Sequence, residues 1–243
     1  MAVDYSRLAA DYDAARADEA VDRDFWLRGL VEVGGVRPGD RILDVGAGTG
    51  RFARLLAGSS RVLALDASRA MMEASRGKGP FDRVLGDAHA LPFRRDAFDV
   101  AVLVMVVHQL ADLPRVLGEV ARVARRAALA TTDIATRQLG ILEEAFPSLL
   151  RIDRRRFPPI DRLVSALEAA GFSRVAVEER RLRRTIPTSA QLERVRRKYV
   201  STLDLIPPAE FRAGLEFLER ELPRRCGEAY EIDGGFTFVG ASR

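Results

Sequence analysis

The sequence predicts a doubly wound α/β fold around a parallel sheet, on three observations. Short apolar segments alternate with segments of helical period through the first half of the chain. The run from Val100 to Val107 is apolar at every position, as befits a central strand covered on both faces. A glycine-rich turn, Gly46-Ala47-Gly48-Thr49-Gly50, joins a short apolar strand to a helix.

Tyr5, Leu8 and Tyr12 recur at spacings of three and four, which predicts an N-terminal helix over residues 4–16 with Asp4 as its cap. A second helix is expected over residues 19–33, stopped by Gly34-Gly35 and Pro38-Gly39. Residues 1–36 together would form a helical cover. Arg41–Val45 reads as the first strand, residues 51–57 as a helix, and residues 61–66 as a strand ending on Asp66. Ser68 caps a helix reaching about Ser75, and residues 83–85 and 98–106 are further strands. Leu113, Val116, Leu117, Val120 and Val123 lie on one helical face, and residues 127–132 form the next strand. A helix over 161–170, a strand over 173–179 and a last strand over 228–239 complete the series. Residues 136–159 and 186–226 interrupt this rhythm with long connections, and both are expected in a cap over a single domain spanning residues 1–243.

Composition narrows the classes of function. With 243 residues, 47% of them hydrophobic, the chain can bury one full α/β core. Its longest apolar run is too short for a bilayer, and no secretory pattern opens the sequence, so a cytoplasmic protein without a membrane span is expected. One cysteine, Cys226, and two histidines, His89 and His108, leave no cluster for a disulfide framework or a metal. The net charge of +4 gathers in arginine-rich stretches at 154–156, 180–184 and 194–198. A solvated face is the reading preferred there, so nucleic acid is not an expected partner.

The glycine turn carries the chemistry. Its residues let a ligand approach the backbone closely, and the helix after it offers free N–H groups to an anion. Asp66 lies twenty residues after Gly46 at the next strand end, where a carboxylate can accept bonds from both ribose hydroxyls. A dinucleotide fingerprint would place its third glycine at position 51, which is Arg51. Gly50 stands one residue earlier, so the turn suits a small carboxylate better than a pyrophosphate.

Together these residues resemble a known family. Leu43-Asp-Val-Gly-Ala-Gly-Thr-Gly-Arg51 resembles motif I of class I S-adenosylmethionine (SAM)-dependent methyltransferases. Ala64-Leu-Asp-Ala-Ser68 and Gly86-Asp-Ala-His-Ala-Leu-Pro-Phe93 are similar to the segments that meet ribose and adenine. Tyr5 through Asp13 resembles the N-terminal helix of the ubiquinone and menaquinone methyltransferase-like group. The resemblance implies a Rossmann-like sheet of seven strands with the last antiparallel. It implies that Gly46, Ala47, Gly48 and Gly50 surround the methionyl part of SAM, with Asp44 supporting the loop. Asp66 and Ala67 would meet the ribose, Asp87 and Ala88 the adenine, while Met105, Tyr5 and Tyr12 would complete the cofactor site. His89 stands where the family commonly has glutamate and is read as a rim residue. His108, at the carboxyl end of the fourth strand, is the candidate base for the methyl acceptor, with a packing or cofactor-contact histidine as the alternative. Phe146, Phe157, Tyr199 and Phe211 are candidates for lining an apolar acceptor pocket. The expected function is methyl transfer from SAM to a small organic acceptor, with no metal. An RNA methyltransferase, a nicotinamide oxidoreductase and a non-catalytic SAM-binding protein are the alternatives.

Overall fold

A computed structural model of the chain describes residues 22–243. The helix expected over 4–16, and Tyr5 and Tyr12 with it, lie outside the described residues. Helix α1 (Arg23–Glu32) leads into strand β1 (Arg41–Val45), helix α2 (Arg51–Leu56), strand β2 (Arg61–Asp66), helix α3 (Arg69–Ala74) and strand β3 (Asp82–Leu85). Strand β4 (Phe98–Val104), a 3-10 turn (Val107–Gln109), helix α4 (Leu113–Val123) and strand β5 (Ala124–Thr131) come next. Helices α5 (Ile141–Ala145), α6 (Leu149–Arg156) and α7 (Ile160–Ala169) precede strand β6 (Arg174–Pro187). Helix α8 (Thr188–Arg196), a 3-10 turn (Ser201–Asp204) and helix α9 (Pro208–Cys226) lead to strand β7 (Ala229–Ser242).

The seven strands form one sheet in the order β3-β2-β1-β4-β5-β7-β6. The first five run parallel, and β7 is antiparallel to both of its neighbours, as expected for the class. Alternation along each central strand builds two cores. Leu43, Ala101, Leu103 and Leu129 face Leu117 and Val120 of α4 and Leu163 and Leu167 of α7. Ile42, Val100, Val102 and Ala128 face the other way, toward Trp26 and Leu30 of α1 and Phe52 of α2. Phe25, Trp26, Phe52, Phe236 and Phe238 meet edge-on or tilted at centroid distances of 4.8 to 5.9 Å, which fastens α1 to the sheet. A third core joins α5, α6, α8 and α9 through Phe146, Leu149, Val195, Leu203 and Leu218. Asp153, fully buried on α6, ties that core to the second 3-10 turn by accepting the Thr202 hydroxyl, which accepts in turn from Arg156 at 2.8 Å.

Several strand ends differ from the sequence reading, and the last strand runs on to Ser242 rather than ending at 239. β4 stops at Val104 because Met105 takes a left-handed φ of 52°, which ends the extended backbone and sends its N–H to the Ala130 carbonyl at 2.8 Å. β5 starts at Ala124 directly on the end of α4, since Arg126 is anchored by Asp40 at 2.7 Å and by the Gly35 carbonyl. β6 continues past Glu179 to Pro187, paired residue by residue with β7 from Arg174↔Ser242 to Pro187↔Ala229. Among the described residues, no helix is long and apolar enough to cross a membrane.

Candidate functional site

Parallel pairing brings the carboxyl ends of β1 to β5 to one edge, and the strand order sets their outgoing loops side by side. Along that edge lie Asp87 after β3, Asp66 at the end of β2, the glycine turn after β1, Met105 and His108 after β4, and Thr132 after β5. The order of strands reverses between β1 and β4, and clefts of open α/β sheets form at that point.

The glycine turn is held from below. Gly46 and Ala47 both donate to the Leu65 carbonyl, at 2.8 and 3.0 Å, and Gly50 donates to Ala47 at 3.0 Å. Gly46 and Gly50 have φ of 70° and 79°, and a Cβ on them would strike Val106 and Phe81 at 2.4 Å. Only glycine suits either position. A Cβ at Gly48 would meet nothing within 4 Å, so the middle of the turn faces open space. Asp66 braces the same turn, since Oδ2 accepts the Gly48 N–H and Oδ1 the Ser68 N–H, each at 2.8 Å. Ala67 between them is exposed.

Asp44 sits behind the turn, 2% exposed, and its Oδ2 has no hydrogen-bond partner among the described residues. Burial first, and the nearby Asp66 charge second, push its carboxyl up to about 7, against the pull of the Ala53 N–H. Asp87 is exposed, and its Oδ1 accepts the backbone N–H of His89 at 2.9 Å and faces the His89 ring Nδ1 at 2.7 Å. Those two bonds hold the Asp87 carboxyl below its ordinary range. Ala88 beside it is buried. His89 is thus more than a rim residue: it braces Asp87, a link legible in their spacing of two.

A space of about 60 Å³ lies between the glycine turn and Asp66. It shares Arg51, Met105 and Gln109 with a larger cavity of about 430 Å³ formed among the described residues. His108 lines the larger cavity, 9% exposed and stacked on Phe157 at 4.1 Å with an 11° tilt. Thr132 and the far end of the β6–β7 hairpin form further wall. Gln191 and Arg194 of α8, Tyr199 just after it and Tyr230 at the start of β7 close it. Of the four aromatic candidates, Phe157 and Tyr199 reach this cavity. Phe146 is fully buried and stacks on Phe211 at 5.7 Å inside the third core, because α5 and α9 turn both rings toward each other.

Arg194 corrects the reading of residues 194–198 as a solvated run. Thr188, Gln191, Leu192 and Val195 form the buried face of α8, and Arg194 shares it at 8% exposure. Arg184 is also turned inward, 3.5 Å from Asp22. Neither stands out individually in the sequence.

The comparisons agree with this geometry. Residues 43–130 match the family model described as a methyltransferase domain. A malonyl-[acyl-carrier protein] O-methyltransferase from Methylococcus capsulatus is 30% identical over 76% of this chain and 70% of its own length. Another from Serratia marcescens is 33% identical over 68% of this chain and 65% of its own length. A ubiquinone/menaquinone biosynthesis C-methyltransferase from Teredinibacter turnerae is 30% identical over 50% of this chain, which spans 53% of it. The chain thus spans 53% to 70% of the length of these relatives. Among solved structures, an Anabaena variabilis protein assigned as a methyltransferase of an antibiotic biosynthesis pathway superposes with a TM-score of 0.73. It is 23% identical, with 89% of this chain and 96% of that one covered. A Haemonchus contortus phosphoethanolamine N-methyltransferase, solved in complex with SAM, gives a TM-score of 0.58 at 16% identity, over 89% of this chain and 51% of that one. The glycine turn, the acids at the sheet edge and these matches agree: the chain belongs to the class I SAM-dependent methyltransferase family.

Proposed function

We propose that the chain transfers a methyl group from SAM to a small organic acceptor held in the 430 Å³ cavity. The observation that carries this reading is the adjacency of two spaces. The one between the glycine turn and Asp66 shares Arg51, Met105 and Gln109 as wall with the one lined by α8.

The residues at the edge fit the cofactor. Asp44 Oδ2 is a buried acceptor without a partner, suited to a cationic donor near the turn. The open side of Gly48 leaves room for a ligand against the backbone. Gly46, Ala47, Gly48 and Gly50 would hold the methionyl part, Asp66 and Ala67 the ribose, Asp87 and Ala88 the adenine, and Met105 the reacting end. SAM supplies an activated methyl on its sulfonium, which leaves as S-adenosylhomocysteine once the carbon is transferred. The protein's share is in-line positioning and exclusion of water. His108, in the wall beside Met105, takes the acceptor's proton where the acceptor atom carries one.

The helices drawn from residues 136–159 and 186–226 act as a cap on one domain, supported by the core they share. Residues 1–36 add a cover whose first part lies outside the described residues. Calorimetry with SAM, with S-adenosylhomocysteine and with NAD tests the reading. Tight binding of the first two and none of NAD is expected, and NAD binding without SAM binding would overturn it.

A further inference from the structure

Arg194 is a charge taken out of water without a counter-charge among the described residues. It is 8% exposed, and among the described residues it makes no ion pair. Its Nε and Nη1 are buried without hydrogen-bond partners, and its guanidinium lies 4.3 Å from the Tyr199 ring centroid. Leaving a guanidinium in that state is costly, and an aromatic face offsets only part of the lost hydration.

The neighbours do not supply the missing charge. Arg184 faces Asp22 at 3.5 Å, Arg181 faces Asp233 at 2.9 Å and Arg137 faces Asp153 at 3.3 Å, so those arginines and acids match each other. Glu179 and Glu231, which also border the cavity, are exposed to water. Asp133, the remaining acid of the lining, accepts the Ala135 N–H at 2.9 Å and makes no ion pair with Arg194, so among the described residues Arg194 is left unmatched on the cap side. Gln191, one turn earlier on the same face of α8, is 1% exposed, with Oε1 unpartnered. Tyr230 completes the wall; burial first pushes its hydroxyl up to about 12, so it stays a neutral donor.

We infer that Arg194 is the anchor for a carboxylate on the methyl acceptor, making the substrate a small organic acid. The inference rests on the methyltransferase reading and names the substrate class of that site. The one guanidinium on the cap side matches a monoanion such as a carboxylate. The Tyr230 hydroxyl donates to the same anion, and Gln191 Oε1 accepts from a hydroxyl or N–H on the acid. Arg194 binds and orients the acceptor; the methyl leaves from the other end of the cavity, at Met105.

The test uses the full chain saturated with S-adenosylhomocysteine for binding, and with SAM for turnover. The probes are aliphatic and aromatic hydroxy acids and dicarboxylic acids, the amide of each, and phosphate monoesters of matching size. Melting shifts and methylation confined to compounds with a free carboxylate are expected. Arg194→Met should raise the Kd of an active acid about 30- to 100-fold, with the S-adenosylhomocysteine Kd within about twofold of wild type. The same variant should melt at or above the wild-type temperature, since it removes an unmatched buried charge. A strongly lowered melting temperature would assign Arg194 a structural role and overturn the inference. Activity on amides or phosphate monoesters but not acids, or no response to any acid, would overturn it too. Failure to bind S-adenosylhomocysteine at all would instead remove the methyltransferase reading.

Discussion

Asp66 and Gly48 are joined by a hydrogen bond of 2.8 Å from the glycine N–H to the carboxylate. The acid proposed to hold the ribose therefore also fixes the middle of the turn that would hold the methionyl end. Asp66→Ala is expected to weaken SAM binding by about 2–4 kcal/mol, through lost charge-assisted bonds to the ribose and a loosened turn. Calorimetry on the folded variant checks this, and an unchanged Kd would remove Asp66 from the site.

Asp44 predicts a pH effect of definite sign. Its carboxyl is raised to about 7 in the folded chain, chiefly by burial, from an ordinary value of 3.8. The folded state then holds a proton that the unfolded state has released, so stability falls as pH rises from about 4 to about 7. The fall is about 4 kcal/mol at most, and Asp44→Asn should abolish it in denaturant melts. Binding of SAM places positive charge near this group and should expel the proton. At pH 6, calorimetry in buffers of different ionisation heat should register proton release that the asparagine variant lacks.

His108 stacks on Phe157 in the cavity wall. If it takes the acceptor proton, His108→Gln should lower kcat about 100- to 10,000-fold while leaving the SAM Kd near wild type. A variant with a normal kcat would reduce His108 to a wall residue.

Apart from Arg174 and the buried Arg194, the arginines of β6 and α8 face acids. Arg180 meets Glu178 and Glu32, Arg181 and Arg183 meet Asp233, and Arg196 meets Glu193 and Glu219. Little net potential is left for phosphates. RNA association measured by fluorescence polarisation should be weak and collapse between about 50 and 200 mM salt. Retention at physiological salt with methylated RNA would reverse the expectation.

The sheet edge was legible because local chemistry announces it. Glycines at 46 and 50 answer to backbone angles, and Asp66 to its position at a strand end, and both signals lie within a few residues. The second half of β6 was not legible. Arg180 to Ile186 shows no clean apolar alternation, and pairing with β7, some fifty residues later, decides its conformation. The cap wall was hidden for the same reason: Arg194, Tyr230 and Phe157 meet only through tertiary packing. A faint signal existed on α8, where Arg194 falls beside the apolar Leu192 and Val195 on the inward arc.

The pairing of Pro187 with Ala229 has a consequence for how such a protein changes over time. The chain leaves the ribbon at Thr188 and returns at Glu228, where the Thr188 N–H meets the Glu228 carbonyl at 2.8 Å. Everything between these two points, α8 and α9 included, hangs from adjacent ends of one ladder. A segment of different length or sequence can be exchanged there without disturbing the register of the strands that carry Asp66 and the glycine turn. Mutation can therefore rework α8 and α9, and with them the proposed acceptor wall, while the strand ends proposed to hold the cofactor stay as they are.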